Sequence, residues 1–273
     1  MTLPDTSVQR RSIRVRLRGS VARRGLAGTA KYGAVSLGHR ARRRAFYVAE
    51  TAFDLWHGVE TRGIFHHDES AVQSDPVFAH AKHYGGTYPR SFRRYIRSLG
   101  IDYRNYTFVD LGSGKGKALL LAAEYPFRRV IGVELWEPWA EDARRNLASA
   151  KRFKSAAGAI ELVQGDAATY EYPSEPLVVY VHNSFDAVLM NTVVEALQRS
   201  LIEAPRELYL VYHGPWQRHV TDTVTLWEPV AEFQKCVIYH AAPDGSAGVT
   251  AGQAPVPGAG DERPKPPPSP PAS

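Results

Sequence analysis

The 273-residue chain contains one cysteine, Cys236. An internal disulfide is therefore excluded, and so is any metal site built on several thiolates. No stretch approaches the roughly 18 consecutive apolar residues that a membrane span needs, so the expectation is a soluble protein with no membrane span. Acids are nearly missing from the first part of the chain. Residues 1–44 hold 12 Lys and Arg against Asp5 alone, a net of +11, and the rest holds 22 Lys and Arg against 27 acids, a net of −5. The overall charge of +6 thus belongs to an arm, and the body is mildly acidic. Such an arm reads first as a solvated, disordered segment, and second as a surface for an acidic partner or nucleic acid. It is Arg-rich and acid-poor, as transit peptides are, but it lacks the apolar core of a secretory signal. Arginine outnumbers lysine 26 to 8, a bias that favours a bacterial cytoplasmic protein.

With 44% hydrophobic residues, the chain can bury one sizeable core. Residues 1–40 show no sustained periodicity and are expected to be a disordered basic arm. Residues 41–100 are expected to form a helical cap or lid. Phe46, Ala49, Phe53 and Trp56 share one helical face, and Phe92, Tyr95, Ile96 and Leu99 share the face of a second helix that opens at Pro89 and stops at Gly100. Between 101 and 242, strands and helices alternate. Strands are expected at 106–111, 130–135, 160–163, 177–181 and 207–212, with a hairpin from 224–227 and 235–240. Helices are expected at 117–124, 138–151 and 188–201. This alternation predicts an α/β fold with a doubly wound, mostly parallel sheet. From 243 the chain is rich in Gly, Ala and Pro. Eight of its 19 prolines fall within 255–271, which predicts a disordered tail.

The strongest signal is Thr107-Phe-Val-Asp-Leu-Gly-Ser-Gly-Lys-Gly-Lys117. An apolar strand runs into Asp110, then into Gly112, Ser113, Gly114 and Gly116, then into a helix. The glycines permit φ > 0 and let a ligand approach the backbone. The helix start offers free N–H groups to a carboxylate or phosphate, and Asp110 can face an ammonium. A ligand with both amino and carboxylate groups fits this loop. A dinucleotide fingerprint needs a third glycine where Lys117 stands, and no P-loop spacing is present. Glu134 ends the second strand, where a carboxylate can accept ribose hydroxyls. Asp166 follows the third, where it can accept from an adenine amino group.

These elements resemble class I S-adenosylmethionine-dependent methyltransferases, in particular bacterial ones with the pattern F-x-D-x-G-S-G-K-G, then V-I-G-V-E, then G-D-A. The resemblance spans residues 84–240. It implies a seven-stranded Rossmann-like sheet and S-adenosyl-L-methionine as cofactor. It also implies that Asp110, Gly112 and Gly114 hold the methionine moiety, Glu134 the ribose and Asp166 the adenine. Thr87, in Tyr84-Gly-Gly-Thr87, matches a loop that closes over the cofactor in related enzymes.

The fourth strand ends in Tyr180-Val-His-Asn-Ser-Phe185. Amino-directed methyltransferases place Asn/Asp-Pro-Pro-Tyr/Phe there. Both prolines are absent, and the Asn-x-Phe form is similar to non-SET lysine methyltransferases. Asn183 and Phe185 are expected to line the acceptor pocket, against the plainer reading of Asn183 as a turn residue capping the next helix. His182 and His213 are both candidate proton acceptors, with His182 the catalytic candidate. His66, His67, His80 and His83 lack a metal-ligand spacing, so no metal is expected. The expected reaction is in-line methyl transfer to an acceptor that the sequence does not identify, a protein lysine or a small molecule being favoured. The alternatives are a nucleic-acid methyltransferase using the basic arm, or a non-catalytic nucleoside-binding protein. A nicotinamide oxidoreductase is disfavoured by Lys117.

Overall fold

The computed structural model describes residues 47–62, 64–65, 84–150 and 154–243. The arm 1–40, Phe46, the four histidines between 66 and 83, and the tail from 244 lie outside the described residues. In chain order the elements are α1 (47–57), β1 (Ile64–Phe65), β2 (Tyr84–Gly85), α2 (Pro89–Ser98), β3 (Thr107–Leu111) and α3 (Lys117–Ala122). Then come β4 (Arg129–Glu134), α4 (Glu137–Ser149), β5 (Ile160–Gln164), β6 (Leu177–His182) and α5 (Ala187–Glu203). The last are β7 (Leu208–His213), α6 (Arg218–Thr221), β8 (Glu228–Phe233) and β9 (Cys236–Ala241).

Seven strands form one sheet in the order β5-β4-β3-β6-β7-β9-β8. The first five are parallel, and β9 runs antiparallel to both β7 and β8. The order departs in both directions from the β3–β6 pair. Their carboxyl ends therefore open on the crevice where ligands bind in sheets of this kind.

Side-chain alternation divides the core between the two sheet faces. Val109, Leu111, Leu177, Val179, Val181, Leu208 and Leu210 pack on one face with Met190, Val193 and Leu197 of α5. Phe108, Val130, Val178, Tyr180 and Val211 point the other way, toward Phe92, Tyr95 and Ile96 of α2 and toward α3. Both faces being covered explains the unbroken apolar run of β6, Leu-Val-Val-Tyr-Val, which is buried throughout. Gly132 in β4 has no room for a Cβ. One built there would lie 2.6 Å from Leu119 Cδ1 and 2.9 Å from Ser113 Oγ, so α3 and the glycine loop sit directly on the strand.

Two expectations need correction. In α1 the buried residues are Glu50, Phe53 and Asp54, while Ala49 and Trp56 are exposed. The apolar periodicity misplaced this face because two of its buried members are acids. Asp54 accepts from the backbone N–H of Thr61 and Arg62 and from the Thr61 hydroxyl, and it pairs with Arg62 Nε at 3.1 Å. The second concerns residues 224–227, which are not a strand. Val224 and Trp227 are buried in the core, and the strand is β8. Its Glu-Pro-Val-Ala-Glu-Phe sequence conceals it, with two acids and a proline at an irregular pairing between Pro229 and Ala231. Proline is tolerated there because β8 is an edge strand.

Candidate active site

A pocket opens at the carboxyl ends of β3, β4, β5 and β6. Its polar wall includes Asp110, Ser113, Lys117, Glu134 and Asp166, and its apolar wall Leu135, Trp139, Ala167, Phe185 and Leu189. Thr87, Gly112, His182 and Ser184 complete the mouth toward β6.

The glycine loop turns through positive φ at Gly112 (75°), Gly114 (51°) and Gly116 (80°). Gly112 is required sterically as well, since a Cβ there would lie 2.8 Å from both Cβ and Oγ of Ser184. Glu134 holds the loop from the neighbouring strand. One carboxylate oxygen accepts the Gly114 N–H at 2.7 Å, and the other accepts the Trp136 N–H at 2.9 Å. Ser113 Oγ is buried without a hydrogen-bond partner among the described residues.

Asp110 and Glu134 are 3% and 5% exposed. Burial raises the pKa of Asp110 well above the usual carboxylate range, and the charge of Glu134 adds to the rise. Burial also raises Glu134, against backbone N–H groups that pull it down. Two carboxylates pressed together out of water favour a cationic ligand between or beside them. Asp166 is half-buried and accepts the Ala168 N–H at 2.9 Å, which fixes its turn while the residue lines the pocket.

Lys117 lines the same pocket from α3 and is 2% exposed. Its ammonium lies 2.5 Å from Glu50 Oε1 of α1 and 4.8 Å from the centre of the Phe53 ring. Burial lowers the pKa of Lys117 and raises that of Glu50, each opposed by the other's charge. Asn146 of α4 adds a second tie: it donates to the Lys115 carbonyl at 2.9 Å and accepts the Glu60 N–H at 2.8 Å. The segment before the sheet is thereby fastened at two points to the helix end of the glycine loop.

At the end of β6 the chain reverses through Asn183, whose φ of 48° is a left-handed conformation that asparagine tolerates. Asn183 does not line the pocket; Ser184 and Phe185 do. Asn183 Oδ1 is buried without a partner among the described residues. The helix cap that the plainer reading gave to Asn183 falls to Asp186, which accepts the Leu189 N–H at 3.0 Å. Phe185 is 6% exposed, part of the core beneath α5 and also part of the pocket wall. His182 stacks on His213 of β7, with ring centres 4.0 Å apart and planes 5° apart. Thr87 lies 3.2 Å from His182 Nδ1.

Of the expected site residues, the structure brings Thr87, Asp110, Gly112, Ser113, Glu134, Asp166, His182 and Phe185 around one pocket. Gly114 and Gly116 shape the loop behind it. The sequence reading did not find the contributions of Lys117, Leu135, Trp139 and Leu189. Leu135 was discoverable, as the residue following a strand-end acid. The pairing of Lys117 with Glu50 joins residues 67 positions apart and has no local signal.

Residues 109–212 match the family described as a methyltransferase domain. That match runs from within β3 to within β7, and the strand order of the sheet it lies in is Rossmann-like. Similar solved structures include an RNA methyltransferase from Salinibacter ruber in complex with S-adenosyl-L-homocysteine, at 21% identity over 57% of this chain and 92% of that one, TM-score 0.40. They also include a SAM-dependent methyltransferase from Thiobacillus denitrificans with the same ligand, at 20% identity over 45% and 48%, TM-score 0.35. A third is TrmN from Thermus thermophilus, at 16% identity over 58% and 50%, TM-score 0.44. No curated protein matches the chain. Among the described residues, no helix is long and apolar enough to cross a membrane, and no cluster of His, Cys, Asp and Glu could hold a metal ion.

Proposed function

We propose that the chain is an S-adenosylmethionine-dependent methyltransferase whose cofactor lies in the pocket above β3, β4 and β5. The observation that carries this reading is the set of three acids, Asp110, Glu134 and Asp166, each at or just beyond the end of one of three adjacent parallel strands around a positive-φ glycine loop. The residues fit the group. Asp110 suits its ammonium, and the unpartnered Ser113 hydroxyl and the backbone of the glycine loop suit its amino acid end. Glu134 suits the ribose hydroxyls with the acceptor capacity left after its two N–H contacts. Asp166 suits the adenine amino group, with Leu135, Ala167 and Leu189 along the flat base. When bound, the cofactor supplies an electrophilic methyl carbon on a sulfonium.

The chain's own part is to bind, align and exclude water. His182, Asn183 and Phe185 stand at or beside the end of β6, where the acceptor would meet the methyl. The acceptor we infer is a protein lysine or a small molecule, on the likeness of Asn183-Ser184-Phe185 to the non-SET lysine methyltransferases. The segment 41–100 would act as its lid, α1 being locked to α3 through Glu50 and Lys117. Calorimetric titration with S-adenosylmethionine and S-adenosylhomocysteine tests the reading. One-to-one binding of both is expected, and binding of neither overturns it.

A further inference from the structure

The stacked imidazoles are part of a larger polar cluster that the cofactor pocket does not explain. His213 Nδ1 lies 2.9 Å from the Tyr180 hydroxyl, which is fully buried. Thr87 Oγ1 lies 3.2 Å from His182 Nδ1. Hydrogen bonds thus tie His182 to Thr87 and His213 to Tyr180, and ring stacking joins the two pairs. β6 and β7 pair in register at His182 and His213, so the stack is built by the sheet itself.

We propose that His182 is the group that takes the acceptor's proton during methyl transfer, and that His213 and Tyr180 are positioning residues that hold its ring for that task. The assignment rests on the cofactor reading of the pocket given above.

The proposed role sets where the protons sit. Burial raises the pKa of Tyr180 well above that of a free phenol, so it keeps its proton, and in the proposed arrangement it donates to His213 Nδ1. The proton of His213 is then on Nε2. For His182 to accept a proton on Nε2, its Nδ1 must carry the ring proton and donate it to Thr87 Oγ1, 3.2 Å away; His182 itself lines the pocket. Burial lowers His182 to about 4, with the charge of Lys235 adding to it. His213 falls to about 2 by burial, with His182 and Lys235 adding. The other titratable groups packed here are Tyr95, edge-on to His213, and Asp110 and Cys236, which act on Tyr180. A pair that stays neutral suits a site for a sulfonium, beside which an imidazolium would be repelled.

In the step itself the nucleophile X–H, an oxygen or a weakly basic nitrogen whose methylated form is a stronger acid than the His182 imidazolium, enters uncharged. This selects the small-molecule acceptors over a lysine amine, whose ammonium product would keep its proton. Its lone pair forms the bond to the methyl carbon, and the pair of the broken carbon–sulfur bond stays on sulfur. The X–H bonding pair stays on X, and the proton passes to His182 Nε2. The resulting imidazolium loses that proton to solvent after the product leaves.

The test needs no acceptor. Sinefungin carries an amino group where the transferable methyl stands, and S-adenosylhomocysteine carries nothing there. Binding of both is measured by calorimetry to the full chain and to His182→Asn, His182→Gln and Tyr180→Phe. Asparagine keeps a polar atom near the Nδ1 position, and glutamine keeps one near Nε2. Loss of a charge-assisted hydrogen bond is about a tenfold change in affinity. His182→Asn should lose about that much of the preference for sinefungin over S-adenosylhomocysteine, and His182→Gln should restore part of it. Nitrogen-15 spectra of labelled histidine should show His213 protonated on Nε2 in the wild type. That signature should change in Tyr180→Phe, with a smaller loss of sinefungin preference. If the wild type binds neither ligand, the cofactor reading itself fails. If it binds both but His182→Asn keeps the wild-type preference, the role of His182 is overturned. If Tyr180→Phe changes neither the spectrum nor the preference, the positioning role is overturned.

Discussion

Asp110 and Glu134 meet in the pocket with the pKa of each raised by burial. A cationic ligand stabilises their ionised forms, so its binding should release protons from them. Cofactor affinity should therefore strengthen as pH rises and weaken as Asp110 becomes protonated. Calorimetry in two buffers of different ionisation enthalpy should detect the released protons, and a heat independent of buffer would contradict the pairing. Glu134 has a second duty, because it holds the Gly114 N–H. Glu134→Ala should weaken cofactor binding by roughly 1.5–3 kcal/mol and lower Tm as well, with Glu134→Gln milder in both. A fall in Tm with unchanged affinity would make the acid a brace alone. The loop residues were legible at this scale because glycine spacing and strand-end acids are local patterns. The second duty of Glu134 was not legible, since a donor 20 residues away, in the loop after another strand, leaves no mark in the sequence around it.

Most elements were legible as well, with ends off by one or two residues, as expected where helices fray and strands splay. Periodicity works when the buried residues are apolar, and β3, β4, β6 and β7 meet that condition. It fails on α1, where Glu50 and Asp54 go inside because Lys117, Thr61 and Arg62 meet them there. A buried pair of this kind is costly to break on one side only. Glu50→Ala should destabilise the chain by about 3–5 kcal/mol, while Glu50→Leu combined with Lys117→Met should recover most of that loss. Chemical denaturation of the three proteins measures this. Equal destabilisation by the single and double changes would show that the apolar replacements do not pack.

At the scale of the molecule, the pocket residues fall between Thr87 and Leu189 in the chain. Removing residues 1–40 should accordingly leave cofactor affinity unchanged, and a large loss on titration would assign the arm a part in the site. Stability should depend on pH through the imidazole pair. Both rings are depressed from an ordinary value near 6.5, to about 4 and about 2. The unfolded chain therefore binds protons that the folded one refuses. Their contribution to stability is fully present above about pH 6.5 and is lost as pH falls toward 4. Asp110 and Glu134, raised in the folded state, act in the opposite sense, so the comparison must be made against a variant. His182→Phe should show a shallower fall of Tm between pH 7 and pH 5 than the wild type. Parallel curves would mean that His182 titrates normally.

Trp139 forms part of the pocket wall at 7% exposure, with Trp136 edge-on to it at 4.7 Å between ring centres. An indole placed there is an optical reporter built into the protein. A ligand laid against it changes the polarity around the ring and can quench its emission, so occupancy can be followed in a cuvette without label, radioisotope or known acceptor. Trp139→Phe should remove most of the ligand-dependent part of the signal while leaving the emission of buried Trp227 and exposed Trp216 in place. If the ligand-dependent signal survived that exchange intact, the reporter would be one of the other indoles.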